Sequence, residues 1–369
     1  MPQNANFSVS LARMNNIMQS LLNERGILLA DGATGTNLFT AGLQTGDAPE
    51  LWNTDYPERI SALHRSFVEA GSDIILTNSF GGNRYRLALH DASHRVNELN
   101  IEAARLARTE ADKSVKQVLV AGSIGPTGEI LEPNGPLSLD DAKSAFHDQA
   151  TALAEGGADL LWIETMSSSE EIQAAVSGAA AAGLPVVCTV SIDTNGRTMM
   201  GLTAAEAYKV GTSVDAQIAA IGTNCGVGAA EVVAAICNFS AAAKHTNPNT
   251  NPILVAKANC GIPEYIDGKI VYNGTPELMA IYARLCADAG AGVIGGCCGT
   301  TPEHIAAMRQ AIDAYQAGEP APDADLIEKH LGEISQGAKA QLSGDQSIAG
   351  GSATGRGSRP SRRRRRSPD

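Results

Sequence analysis

Short, almost entirely apolar runs recur along the chain, and they constrain its fold more than any other feature. Eight such runs lie at 27–31, 73–78, 118–123, 159–164, 185–191, 217–224, 253–258 and 292–296. Each is bounded by Gly, Pro, Asn or Asp and lacks polar alternation, which is typical of strands buried on both faces of a parallel sheet.

Longer, Ala-rich segments with helical spacing fill the gaps between these runs: 57–70, 83–113, 139–155, 168–182, 203–211, 228–243, 275–289 and 302–316. Eight strand–helix repeats predict an α/β fold of the (β/α)8 TIM-barrel type. A doubly wound open sheet is the alternative. It would normally be shorter, and no Gly-rich dinucleotide fingerprint follows the first run.

The segments outside the repeats differ in composition. Residues 1–22 form an N-terminal extension with a predicted helix from Leu11 to Leu22, and the barrel is expected over 23–318. A further helix is possible within 319–335. Residues 336–369 are rich in Gly, Ser, Ala and Arg, and we expect them to be disordered because they offer little apolar surface to bury.

Charge and hydropathy exclude two classes of partner. The formal net charge is -12, although the last fourteen residues carry seven arginines against one acid. The body of the chain is therefore strongly acidic, which argues against nucleic acid, and we interpret the arginines as a solvated tail. No apolar run reaches the ~18 residues of a membrane span. Without a signal peptide at the N-terminus, a cytoplasmic protein is expected.

The seven cysteines are odd in number and scattered, except for the pair Cys297–Cys298, so we do not expect a disulfide scaffold. Cys188 lies within a predicted strand, and Cys237 and Cys286 lie within predicted helices, where cysteine usually acts as a small buried hydrophobe. Cys260 follows the seventh strand, and its contribution to a site is left open.

The remaining cysteines lie where a barrel carries its active site, at the carboxyl ends of the strands. Cys225 follows the sixth strand in GTNCG, and Cys297 and Cys298 follow the eighth in GGCCGT. Three thiolates with an open fourth position form a plausible catalytic zinc site. A redox or nucleophilic thiol, or small residues tolerated by a Gly-rich loop, are the alternatives.

Six motifs in this order resemble the homocysteine S-methyltransferase family: DGATGT, LTNSFGGNRYRL, GSIGPTGE, ETM, GTNCG and GGCCGTTPEHI. That family includes betaine–homocysteine methyltransferase and the homocysteine module of cobalamin-dependent methionine synthase. The resemblance covers about 24–316. It implies a (β/α)8 barrel in which Cys225, Cys297 and Cys298 bind zinc.

The resemblance also implies that Asp31, Gly32 and Glu164 hold the amino acid end of homocysteine. Both acids suit an ammonium group, and the glycine lets backbone N–H groups approach a carboxylate. Without the resemblance, a strand-end cap, a buried ion pair or an ordinary tight turn would explain them equally. A thiol of pKa near ~8.5 is little ionised at neutral pH, and zinc coordination deprotonates it, so no general base on the protein is expected.

The methyl donor is less constrained than the acceptor. We expect betaine, whose quaternary ammonium would be held by aromatic faces near the rim, with Trp52, Tyr56 and Phe80 as candidates. However, Gly81 in SFGGN stands where the animal betaine enzyme carries an aromatic residue, a form that resembles the methionine synthase module. S-Methylmethionine, or a methyl-cobalamin protein acting as partner, therefore remain alternatives. So does a module that binds homocysteine without turnover, and the oligomeric state is left open.

Overall fold

A computed structural model describes residues 17–193, 195–216, 218–246, 251–266 and 269–347. It contains eight parallel strands in one sheet: β1 (Leu28–Leu29), β2 (Ile74–Leu76), β3 (Leu119–Ile124), β4 (Leu160–Met166), β5 (Val186–Val190), β6 (Ile218–Cys225), β7 (Ile253–Ala258) and β10 (Val293–Gly296). Their order is β1-β10-β7-β6-β5-β4-β3-β2, and a parallel bridge between Ala30 and Ile74 joins the two edges. The predicted (β/α)8 barrel is confirmed.

The helices surround this sheet. After β1, the α-helices of the described residues are Gly35–Thr40, Trp52–Asp55, Pro57–Glu69, Arg84–Ala88, Val96–Ala111, Leu139–Glu155, Ser169–Ala180, Ala204–Ser213, Ala229–Ala243, Pro276–Asp288, Pro302–Asp313, Ala324–Leu331 and Gln336–Leu342. Side-chain caps define several starts. Ser138 accepts a hydrogen bond from the Asp141 amide, and Thr203 forms a capping box with Glu206.

The barrel interior and the strand–helix layer form two separate apolar clusters. Alternate strand residues fill the interior, because successive side chains of a strand point to opposite faces. This cluster includes Leu28, Ile74, Leu119, Leu160, Trp162, Val187, Ala220, Val255 and Val293. Met18 and Leu21 belong to it as well, so the helix at 17–25 packs against the interior residues. The described part of the predicted Leu11–Leu22 helix is therefore helical.

A short antiparallel hairpin interrupts the seventh strand–helix repeat. Its strands β8 (Pro263–Ile266) and β9 (Lys269–Tyr272) lie between β7 and the helix Pro276–Asp288. The hairpin matters for the site because Tyr272 lines the cavity described below.

The segment after the barrel corrects one prediction. Ala324–Leu331 is the further helix expected within 319–335, but Gln336–Leu342 is helical where disorder was predicted. Polar contacts hold this helix in place. Ser335 caps its start, and the side-chain amide of Gln341 donates a hydrogen bond to the Gly196 carbonyl at 3.0 Å. Small buried residues such as Ala338 allow close packing on Ala229–Ala243. The rest of the predicted tail, 348–369, lies outside the described residues.

No helix within the described ranges has the length and apolar character needed to span a bilayer.

Candidate metal and substrate site

The three cysteines at the strand ends come together. One sulfur atom from each of Cys225, Cys297 and Cys298 lies within 4.8 Å of the other two, and the Cys225 and Cys298 sulfurs are 3.8 Å apart. All three residues are half-buried and face one cavity. With Zn–S bonds of 2.3 Å, the sulfurs of a tetrahedral site stand about 3.8 Å apart, so this donor set fits zinc.

The backbone turns sharply at the first of these cysteines. Cys225 has a φ of 62°, in the left-handed region, and Gly226 follows with a φ of 69°. A Cβ at Gly226 would lie 2.3 Å from the carbonyl oxygen of Ile192, so glycine is required there. This turn ends β6 and brings the thiol to the cavity.

Asn259 joins the two cysteine loops. Its side-chain amide donates to the Gly226 carbonyl at 2.7 Å, and its side-chain oxygen accepts from the Cys298 amide at 3.0 Å. Asn259 is itself buried. One side chain thus fixes the spacing between the loop that carries Cys225 and the loop that carries Cys297 and Cys298. The sequence interpretation missed Asn259, because a lone Asn after a strand also suits an ordinary turn.

The sulfurs share negative charge unequally. Hydrogen bonds from Cys225 and Cys297, assisted by the Tyr272 hydroxyl, lower the pKa of Cys298 to about 3. Hydrogen bonding to the other two thiols raises the pKa of Cys225. These hydrogen bonds favour the thiolate form of Cys298, which is the ligand form that zinc requires.

Glu164 lines the same cavity, together with Lys257, a buried lysine that the sequence interpretation missed. Asp31 is buried next to this lysine. The Lys257 ammonium is 2.8 Å from one Asp31 oxygen, and the other Asp31 oxygen accepts from the Leu76 amide at 2.7 Å. The Ser123 hydroxyl donates to Glu164 at 2.5 Å. The available signal was a single charged residue within the apolar run ILVAKA.

Burial and neighbouring charges shift the pKa values of Glu164 and Lys257, which both line the cavity. Burial raises the pKa of Glu164 to about 7, although the charge of Lys257 opposes the shift. Burial alone would lower the pKa of Lys257, but the nearby carboxylates of Asp31 and Glu164 outweigh it and raise that pKa. The carboxylates thus favour the ammonium form of Lys257, whereas Glu164 titrates near neutrality.

One cavity of about 470 Å³ is lined by the three cysteines, Ser123, Glu164 and Lys257, and Asp31 contacts this lining through its ion pair with Lys257. Its inner end is lined by the cysteines, Glu164 and Lys257, and by the backbone of Gly32, where a Cβ would lie 2.6 Å from the Thr300 carbonyl oxygen. The lining also includes residues from the loops after β1 and β2: Phe39, Asp47, Glu50, Phe80, Arg86 and His90. The cavity is within the size range of small-molecule sites.

Two of the three predicted donor contacts lie elsewhere. Trp52 and Tyr56 are absent from the described cavity lining, and their rings pack edge to face at 4.9 Å. The Arg59 guanidinium stands 4.8 Å and 4.6 Å from the two ring centroids, so a cation of the protein already occupies these aromatic faces. Phe80 does line the cavity, and Phe39, which was not predicted, joins it.

The other four cysteines stay outside the cluster. Cys188 and Cys286 are buried, and Cys237 is half-buried in the helix Ala229–Ala243. The Cys260 thiol donates to the Gly274 carbonyl at 3.3 Å and is not among the grouped sulfurs. Cys260 therefore packs beside the cluster without joining it.

Comparison with known proteins decides the family. Residues 28–312 match the homocysteine S-methyltransferase family along their whole length. The chain belongs to this family.

Relatives and solved structures agree with this assignment. The methionine synthases of Mycobacterium tuberculosis and Mycobacterium leprae are each 30% identical to this homocysteine S-methyltransferase family member, over 308 and 304 residues. These matches cover 78% of the chain but 24% of each relative, so the chain spans about a quarter of their length. The metallated crystal structure of the homocysteine methyltransferase MmuM from Escherichia coli superposes with a TM-score of 0.65 at 25% identity, covering 79% of this chain and 99% of that one.

Asn259 yields the first testable prediction. Asn259→Ala removes the link between the cysteine loops, and we expect a 10–100-fold weaker affinity for Zn²⁺, the usual range for partners that orient metal ligands. Competition with a chromophoric chelator measures it. Asn238→Ala is the matched control, because Asn238 is an equally buried amide that bonds the Ala234 carbonyl within its own helix. Equal zinc affinities in the two variants would refute the positioning role.

Proposed function

We propose that this protein transfers a methyl group to the sulfur of homocysteine, using Zn²⁺ held by Cys225, Cys297 and Cys298. One observation carries the proposal: three sulfurs at the spacing of a tetrahedral metal face line a cavity that is also lined by the buried acid Glu164. Family membership makes homocysteine the acceptor that these groups are expected to serve.

The metal, when bound, supplies a Lewis acid that keeps a coordinated thiol deprotonated and therefore nucleophilic. The three cysteines hold it in a half-buried position open to the cavity. Because their sulfurs supply three negative charges around a divalent ion, the site remains electron-rich, which suits attack on an electrophilic methyl group.

Asp31, Gly32 and Glu164 bind the amino acid end of the acceptor in this proposal. Ser123 holds one Glu164 oxygen, and in the described residues no donor is paired with the other, which is therefore available to an ammonium group. Gly32 offers a backbone without a side chain at the cavity wall. The acids orient homocysteine so that its thiol reaches the cysteine cluster.

Betaine is the donor that we propose. Two large phenyl rings, Phe39 and Phe80, are 49% and 39% exposed in the same cavity, and exposed aromatic faces attract a quaternary ammonium. Arg86 lines the same part of the cavity and offers a cation for the carboxylate of betaine. S-Methylmethionine has the same combination of a cationic methyl-bearing centre and a carboxylate, so it is the closest small alternative.

A second function is favoured by the relatives. They are methionine synthases of which this chain matches about a quarter, so the chain would correspond to the unit that prepares homocysteine for a methyl-cobalamin protein. A module that binds homocysteine but does not catalyse its methylation is the extreme form of this alternative.

Turnover assays separate these functions. We expect the purified, zinc-loaded protein with homocysteine and betaine to form methionine and dimethylglycine in equal amounts without any added protein. Parallel reactions contain S-methylmethionine or methylcobalamin in place of betaine. Methionine formed from methylcobalamin but from neither onium compound would replace the proposed donor with the cobalamin alternative.

The zinc ligands are tested by Cys298→Ala. Loss of one of three thiolates leaves an incomplete site, and we expect both zinc retention, measured by elemental analysis, and methyl transfer to be abolished. Cys237→Ala is the control, since its thiol bonds the Pro322 carbonyl away from the cavity. A Cys298→Ala protein that keeps one zinc per chain and full activity would contradict the ligand assignment.

Homocysteine binding should depend on the ionisation of Glu164. Because burial raises the pKa of Glu164 to about 7, the carboxyl is mostly ionised at pH 8 and mostly protonated at pH 6. A neutral acid does not pair with an ammonium, so affinity should fall on acidification. Between these pH values, the wild type should lose about tenfold more affinity than Glu164→Gln, by calorimetry. Because the Glu164→Gln variant leaves the thiols unchanged, it corrects for the effect of their ionisation on affinity. If the affinities of the two proteins change in parallel with pH, this role of Glu164 is excluded.

A further inference from the structure

Lys257 is a buried cation in the centre of the site, and the proposed reaction does not use it. The side chain is 2% exposed. It projects from β7, the strand between β6, which ends in Cys225, and β10, which precedes Cys297. In the strand register, Lys257 is aligned with Asn224 on one side and Gly295 on the other.

An ammonium in this position is stable only because it is paired. Transfer of an unpaired charge into a protein interior is strongly unfavourable, and such groups are retained with a partner of opposite charge. Asp31, at 2.8 Å, is that partner, and the Trp162 ring lies 5.5 Å from the ammonium nitrogen. Of the three N–H groups of Lys257, one is directed to Asp31.

The charges around Lys257 complement a single substrate ammonium. The carboxyl groups of Asp31 and Glu164 lie near the Lys257 cation, and when both acids are ionised the three groups carry one net negative charge. Without Lys257 the acids would repel each other and the nearby thiolates, and one of them would take up a proton instead. A protonated acid no longer attracts an ammonium.

Lys257 also fixes the direction of Asp31. The ion pair to Lys257 and the hydrogen bond from the Leu76 amide approach different oxygens of the same carboxylate. Asp31 therefore cannot rotate freely, and Glu164 is fixed separately by Ser123. Both acids are oriented before a ligand arrives, which reduces the ordering cost of binding.

We propose that Lys257 is the positioning residue for the amino group of homocysteine: it holds Asp31 in place, and its charge favours the ionised forms of Asp31 and Glu164. The proposal rests on homocysteine being the acceptor. It attributes to Lys257 selectivity for the ammonium group of the substrate, and no direct contact with the substrate carboxylate.

Three thiols and their binding constants test this assignment. Homocysteine is compared with 4-mercaptobutyrate, which lacks the ammonium, and with 3-mercaptopropylamine, which lacks the carboxylate. Calorimetry on the zinc-loaded protein, without a methyl donor, gives dissociation constants for the wild type and for Lys257→Met. Lys257→Gln is a second neutral variant that retains a hydrogen-bond donor for Asp31, in case the Met variant does not fold.

In the wild type we expect homocysteine to bind at least about tenfold more tightly than 4-mercaptobutyrate. In both Lys257 variants this preference should fall by about tenfold, while the preference over 3-mercaptopropylamine stays within about threefold of the wild-type value. Arg309→Met is the matched control. It also breaks an ion pair to a buried aspartate, Asp73, which directly precedes β2 at the opposite end of the strand, and it should leave both preferences unchanged.

Two results would overturn the proposal. Retention of the full preference for the ammonium group in both Lys257 variants would show that Lys257 does not position it. A loss confined to the preference over 3-mercaptopropylamine would identify Lys257 as a direct contact for the substrate carboxylate. If the wild type binds none of the three thiols, the proposed function itself fails, which is a distinct outcome from failure of the Lys257 assignment.

Discussion

The register of three neighbouring strands is the constraint on which the site depends. Ala258, at the end of β7, is aligned with Cys225 of β6 on one side and with Gly296 of β10 on the other. Parallel pairing therefore brings the end of β6 and the residue after β10 to the same height of the barrel, one strand apart on each side. Two cysteine loops separated by about seventy residues in sequence meet because of backbone hydrogen bonds formed below them. Asn259, the residue directly after the shared strand, then fixes their spacing.

The charges at this rim follow from the same placement. β7 lies between the cysteine-bearing strands and contributes Lys257, while Asp31 and Glu164 arrive from β1 and β4. Each group alone would be costly to bury, and together they nearly balance. In the proposed function, the amino acid substrate brings its ammonium to the two acids and its thiol to sulfurs that favour a metal. The apolar barrel interior, by excluding water, strengthens each of these interactions.

Much of this arrangement could be predicted from the sequence, because strand ends in a parallel barrel converge whatever the loops do. The apolar runs predicted all eight strands, and the strand-end positions predicted the cysteine cluster before any family was considered. Residues outside the strand ends were harder to predict. Trp52 and Tyr56 belong to the long segment between β1 and β2, yet their rings face Arg59, because position in a connecting segment does not determine the direction of a side chain. The helix Gln336–Leu342 was missed because it is held by small residues and by hydrogen bonds to a distant loop, which leave no apolar periodicity.

The same distinction explains why the acceptor is better defined than the donor. Groups proposed for homocysteine sit on or directly after strands, whose geometry the closed sheet fixes. Groups proposed for the donor, Phe39, Phe80 and Arg86, sit on the loops and short helices after β1 and β2, which vary without disturbing the barrel. A barrel of this kind can therefore keep one acceptor site while its outer wall changes to suit an onium compound or a cobalamin protein. Donor specificity should follow the chemistry of those two loops, whereas acceptor specificity should follow Lys257 and the acids that it orients.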